Sequence, residues 1–166
     1  MLPRVSAVAL LLTTIGCLAG CSDNGDVGPD QQSAAPPAAT PASDQRVRAT
    51  LDGVPLTLEV ADEPNERATG LMGRASVPVG TGMVFRFDGP VDGRFYMFSV
   101  PVPLRAVFLR DGRVVSTVIM PPCPLTDPAA CPTYGADGLY DTVVETAPET
   151  LPDVVPGDAY VEERGA

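Results

Sequence analysis

Two Asp-Gly pairs constrain this chain more than any other feature. Asp52-Gly53 separates a run in which Val47, Ala49 and Leu51 alternate with other residues from a second in which Leu56, Leu58 and Val60 do the same. Asp111-Gly112 likewise separates Leu104–Leu109 from Arg113–Met120. A two-residue turn of this composition takes positive φ at both central positions and matches the twist of antiparallel strands, so each pair marks a hairpin. Strands are expected over 47–51 paired with 54–60, and over 104–109 paired with 113–120.

The intervening segments fit a β-rich domain. Asp62 is placed to cap a helix with Pro64 in its first turn, Glu63 four before Arg67, and Ala68, Leu71 and Met72 on one apolar side, ending at Gly73. A helix of about three turns cannot stand alone and must pack on the sheet. Met83, Phe85 and Phe87 alternate as a strand. Gly89–Gly93 turns the chain into Arg94–Val100, which is apolar on both faces, and Pro101 and Pro103 mark a break or an edge. Tyr140–Thr146 reads as a strand, Pro148–Val154 as an irregular or helical turn, and Tyr160–Glu162 as a closing strand. The expected fold is mainly β (a β-rich α+β class), a compact sandwich or barrel-like sheet of about seven or eight short strands with one packed short helix.

The N-terminus reads as an address. Arg4 precedes an apolar run, Val5 to Gly16, that is too short to span a bilayer, and Leu18-Ala19-Gly20 leads into Cys21. Leu-Ala-Gly-Cys resembles the lipobox of bacterial lipoproteins, which implies acylation of Cys21 and anchoring to the membrane. An ordinary signal peptide cut nearby, or a short uncleaved anchor, is the alternative. Residues 22–45 carry Pro36, Pro37 and Pro41 among Ala, Ser and Gln and almost no large apolar side chain, the composition of a disordered spacer. The expected organisation is a signal peptide over 1–20, a lipidated Cys21 with its linker over 21–45, and one globular domain over 46–166. The expected location is the outer face of the bacterial cell membrane.

Composition narrows the chemistry. All 11 basic residues are Arg, His is absent, and 21 acids give a net charge of −10. Such a chain lacks the concentrated basic face that nucleic acid requires. The absence of His removes the commonest general base and metal ligand. Four cysteines are present; Cys17 falls in the discarded segment and Cys21 in the lipid attachment. Cys123 and Cys131 remain, eight positions apart, and in an exported protein they are expected to form a disulfide worth roughly 2–3 kcal/mol. A redox pair or half of a metal site are the rival readings. The spacing is not that of C-x-x-C, and two thiolates under-coordinate zinc.

Several ordered blocks carry a family resemblance: Glu66-Arg67-Ala68-Thr69-Gly70-Leu71-Met72, Gly82-Met83-Val84-Phe85, Phe95-Tyr96-Met97, Pro103-Leu104 and Phe108-Leu109. Over about Val54 to Val161 the chain resembles the bacterial and archaeal family catalogued as domain of unknown function 192. The resemblance implies a compact β-rich fold with short helices, often exported, and brings no activity with it. The family block near F-W-M-K-N-T-x-x-P-L-D is altered here: Phe98, Ser99, Val100 and Arg105 stand at its Lys, Asn, Thr and Asp positions.

The candidate binding residues are Glu66, Arg67, Arg74, Tyr96 and Phe98. Glu66 and Arg67 also fit a helix-capping network or a surface ion pair, and Arg67 and Arg74 could share a side only if the helix passed Gly73. Met72, Met83, Met97 and Met120 fit core packing better than copper binding. No metal or cofactor is expected. Two functions stay open. The favoured one is a tethered non-enzymatic envelope module that binds a protein or small ligand, through Phe95–Phe98 and the Pro121–Pro132 loop. The other is an enzyme on envelope glycans or polymers using paired carboxylates from Glu59, Glu66, Asp88 and Glu145.

Overall fold

The structure, a computed structural model, describes residues 45–163. The segments expected to be a signal peptide (1–20) and a lipidated Cys21 with its linker (21–45) lie, but for Gln45, outside the described residues. Seven strands form one sheet in the order β6-β5-β8-β3-β2-β1-β9. They are β1 (Arg46–Leu51), β2 (Val54–Ala61), β3 (Thr81–Val91), β5 (Leu104–Arg110), β6 (Arg113–Met120), β8 (Tyr140–Thr146) and β9 (Tyr160–Glu162). A ribbon of β4 (Phe95–Tyr96) with β7 (Thr133–Tyr134) stands apart, and the helix, α1, spans Pro64–Thr69. The mainly β expectation is met.

Both hairpins form where the Asp-Gly pairs place them. β1 pairs antiparallel with β2 and β5 with β6. φ is positive at Asp52 (49°), Gly53 (78°), Asp111 (50°) and Gly112 (71°), the signature of the expected turn. β2 and β3 pair in parallel, and residues 62–80, which include α1, make the crossover such a pair requires. β8 inserts between β3 and β5, antiparallel to both.

The sheet curls into a half-barrel whose edges meet at one end. Arg113 at the start of β6 bridges Ala159, the Val114 N–H donates to the Asp158 carbonyl at 3.0 Å, and the Tyr160 N–H donates to the Gly112 carbonyl at 2.9 Å. Its inner face carries Leu51, Leu58, Val60, Val84, Val107 and Val144, with Leu151 and Val154 packed over them. The opposite face of the central strands is equally apolar. Met83, Phe85, Ala106, Phe108, Tyr140 and Val143 are buried there beneath Leu71, Met97 and Val100.

Two expectations change. The helix has six residues and no buried side chain, because Gly70 turns the backbone at φ 49° three residues before the expected stop at Gly73. A Cβ at Gly70 would also lie 3.3 Å from the Phe85 ring. The helix is capped at Glu63 rather than Asp62. The Arg94–Val100 strand shrinks to Phe95–Tyr96, since Ser99 takes φ 56° and leads into Pro101 and Pro103, which have no N–H to give a ladder. The disulfide between Cys123 and Cys131 is present, with Cα atoms 5.8 Å apart. It ties off the loop that leads into β7.

Gly82 sets the spacing at the centre of the sheet. A Cβ there would fall 2.0 Å from the Glu145 backbone carbonyl oxygen and 3.0 Å from Thr146 Cγ2. Gly82→Ala is therefore expected to cost at least ~1–3 kcal/mol by forcing β3 from β8. Urea denaturation checks this, and an unchanged midpoint would show that the seam has room.

Candidate functional site

A cleft of about 320 Å³ opens where the cover over the outer face is incomplete. Arg67, Gly70, Leu71 and Met72 form one wall, from α1 and the turn after it. Arg94 to Met97, with Val100, form the other, and Phe85, Phe87, Tyr140 and Glu145 come from the sheet. The aromatic lining is mutually braced. Phe95 meets Phe85 edge-on with ring centres 5.2 Å apart, and Phe108 beneath it at 5.9 Å; Phe87 meets Tyr140 at 5.6 Å. The Tyr140 hydroxyl donates to the Gly93 carbonyl at 2.8 Å. Burial, and secondarily the charge of Asp92, push its pKa up to about 12, so it remains a neutral donor.

Glu145 is the unusual residue. It sits in β8 opposite Met83 of β3 on one side and Ala106 of β5 on the other, and neither side chain can donate a hydrogen bond. It is 5% exposed and faces the cleft. Among the described residues no hydrogen bond or ion pair reaches its carboxyl group. Burial pushes its pKa up to about 8, because ionising a carboxyl in apolar surroundings without a partner is costly. At neutral pH it is mostly protonated, with one O–H to donate and a carbonyl oxygen to accept.

The two arginines of the cleft are held by backbone and ring contacts instead of carboxylates. Arg67 donates through Nη1 to the carbonyls of Asp62 and Arg86 and lies over the Phe87 ring, 5.3 Å from its centre. Arg94 donates through Nε and Nη2 to Thr133 Oγ1 and the Thr133 carbonyl, each at 2.8 Å. Arg46, Arg48, Arg74, Arg86 and Arg110 all have carboxylate partners.

Of the residues singled out from sequence, Arg67 and Tyr96 line this cleft. Arg74 does not: it makes a two-point contact with Glu59 at 3.0 and 2.5 Å in a neighbouring, more polar cavity of about 300 Å³, on the far side of Leu71. Glu66 caps the helix by accepting from the Asp62 and Glu63 N–H groups, both at 3.2 Å. Phe98 is half-buried and lines neither cavity. The proposed carboxylate set also separates. Glu145 faces the first cleft, Glu59 is neutralised in the second, and Glu66 and Asp88 line neither.

The altered family block divides as well. Val100 lines the cleft, whereas Arg105 points to the other face of β5, between Leu104 and Ala106, and reaches Thr117 Oγ1 at 3.3 Å. Ser99 holds the left-handed turn and its carbonyl accepts from the Gly73 N–H at 2.8 Å. Asn, the family residue there, tolerates that conformation well. The position therefore has a backbone role.

Fold and site together define a half-barrel domain in which one buried acid, Glu145, faces an aromatic cleft. The chain belongs to the domain of unknown function 192 family, described as an uncharacterized ACR, whose model matches residues 47–159. A Novosphingobium aromaticivorans protein of unknown function is similar in structure, with 29% identity and a TM-score of 0.60 over 76% of this chain and 93% of that one. A provisionally named transcription regulator from Sinorhizobium meliloti matches with 24% identity and a TM-score of 0.62 over 71% and 94%, a likeness of fold. No curated protein matches the chain.

The buried acid predicts a pH signature. Folded Glu145 keeps its proton to about pH 8, whereas the unfolded chain releases it near 4.5. Across that window the folded state binds more protons, so its stability falls as pH rises. Relative to Glu145→Gln, the wild type should lose up to about 1.4 kcal/mol per pH unit between those values. Urea midpoints at several pH values measure the difference, and parallel curves would rule the buried acid out.

Proposed function

We propose that this protein is an exported lipoprotein, acylated at Cys21 and tethered to the outer face of the cell membrane, whose domain binds a small, mainly apolar molecule in the Glu145 cleft. The observation that carries the binding half is an unpartnered carboxyl group at an aromatic-walled opening of about 320 Å³, within the range of small-molecule sites. A side chain that cost stability to bury and serves no internal contact is explained by a ligand that completes it. The Leu18-Ala19-Gly20-Cys21 sequence and the proline-rich 22–45 segment support the tether. Carboxylate-pair chemistry on glycans needs two acids facing one substrate, and the dispersal of Glu59, Glu66, Asp88 and Glu145 weighs against it. Regulation of transcription by DNA contact is disfavoured by the net charge of −10.

Each half has its own experiment. Membrane fractionation should find the wild type with the envelope membranes and Cys21→Ser in the soluble fraction; a wild type that is soluble from the outset would remove the anchor. Native mass spectrometry of the protein released gently from its own envelope should show a non-covalent mass beyond that of the Cys21-acylated chain, lost on denaturation. Ala68→Trp, which places a ring at an exposed position on the cleft wall, should abolish it. The acylated chain alone, in both wild type and variant, would contradict the binding reading.

A further inference from the structure

Resting on that reading, we infer the ligand class: an amphipathic anion whose acidic head is held by Arg67 and Arg94, and whose apolar body carries a hydroxyl or amide that meets Glu145.

The arginines argue for the head group. Each is fixed by its existing bonds, Arg67 through Nη1 and Arg94 through Nε and Nη2. Arg67 keeps Nε and Nη2, and Arg94 keeps Nη1, without a protein acceptor. Neither guanidinium has a carboxylate partner among the described residues, in a chain with almost two acids per arginine. A planar carboxylate matches such donors, and immobilised guanidinium groups lose little further entropy in binding it. An organic cation in the same cleft would meet two like charges.

Glu145 argues for a second polar group on the ligand. Protonated, it can both give and receive a hydrogen bond, and it does neither in the protein. A hydroxyl or an amide answers both functions at once. A wholly apolar end would leave the acid as it is, and an ammonium would require ionising it between Met83 and Ala106. The apolar lining, with Leu71, Met72, Phe85 and Phe95, fits an apolar body.

The experiment is calorimetric titration of the soluble Cys21→Ser chain with four probes of one length: 8-hydroxyoctanoate, octanoate, 1-octanol and octylamine. The hydroxy acid is expected to bind at least tenfold more tightly than each of the others. Arg94→Ala should remove its advantage over octanol, and Glu145→Leu its advantage over octanoate. Circular dichroism confirms that each variant is folded; if Arg94→Ala is not, Arg94→Lys keeps the charge and tests the planar contact. Tightest binding by octylamine would overturn the anionic class while leaving the cleft as a binding site. Equal binding of octanoate and the hydroxy acid would overturn the role of Glu145. Failure of all four probes would overturn the ligand class, and a non-covalent mass on the envelope-derived protein that Ala68→Trp abolishes would then show that the cleft holds some other molecule.

Discussion

A sheet that is apolar on both faces has to be covered twice, and the rest of this structure follows from that constraint. The central strands β3, β8 and β5 send Val84, Val144 and Val107 to one side and Met83, Phe85, Val143 and Phe108 to the other. The first side is buried by curling the sheet on itself and closing its rim where Arg113 meets Ala159. The second cannot be closed that way. It takes a cover assembled from short pieces: the six-residue helix and the turn after it, the β4–β7 ribbon, and the loop tied by the Cys123–Cys131 disulfide. Such a cover is less complete than a continuous layer, and the cleft is its gap.

Glu145 gains its character from the same arrangement. In a sheet with one wet face it would be an ordinary surface acid. Here the second cover buries it, the close approach of β3 at Gly82 fixes its strand, and Met83 and Ala106 flank it with apolar side chains. It has no partner, whereas Glu59, one strand beyond Met83, makes a two-point contact with Arg74. Two acids in one cross-strand row therefore have opposite electrostatic fates, decided by which segment of the cover lies over each.

How much was legible in the sequence depended on whether the determining chemistry was local. The Asp-Gly turns, β8 and β9 could be read from adjacent residues. The order of strands could not, because the insertion of β8 between β3 and β5 and the parallel pairing of β2 with β3 are set by long-range burial. The helix end was misplaced by three residues because Gly70 and Gly73 are both plausible stops, and only the Phe85 ring against Gly70 distinguishes them. Of the candidates the sequence offers, Arg67 and Tyr96 both line the cleft, whereas Arg74 pairs with Glu59, Glu66 caps the helix and Phe98 lines neither cavity. Glu145 was visible as one carboxylate among several. Its signal was an acid within Thr142–Thr146, in a strand whose neighbours on both faces are apolar, and that signal has meaning only once both faces are known to be covered.

The most direct test of the account is a side-chain carboxyl NMR titration of Glu145 in the folded domain. An apparent pKa close to 8 is the predicted result. A titration near 4.5 would mean that water or an unrecognised partner reaches this carboxyl, and the buried, waiting acid on which the proposed site rests would not exist.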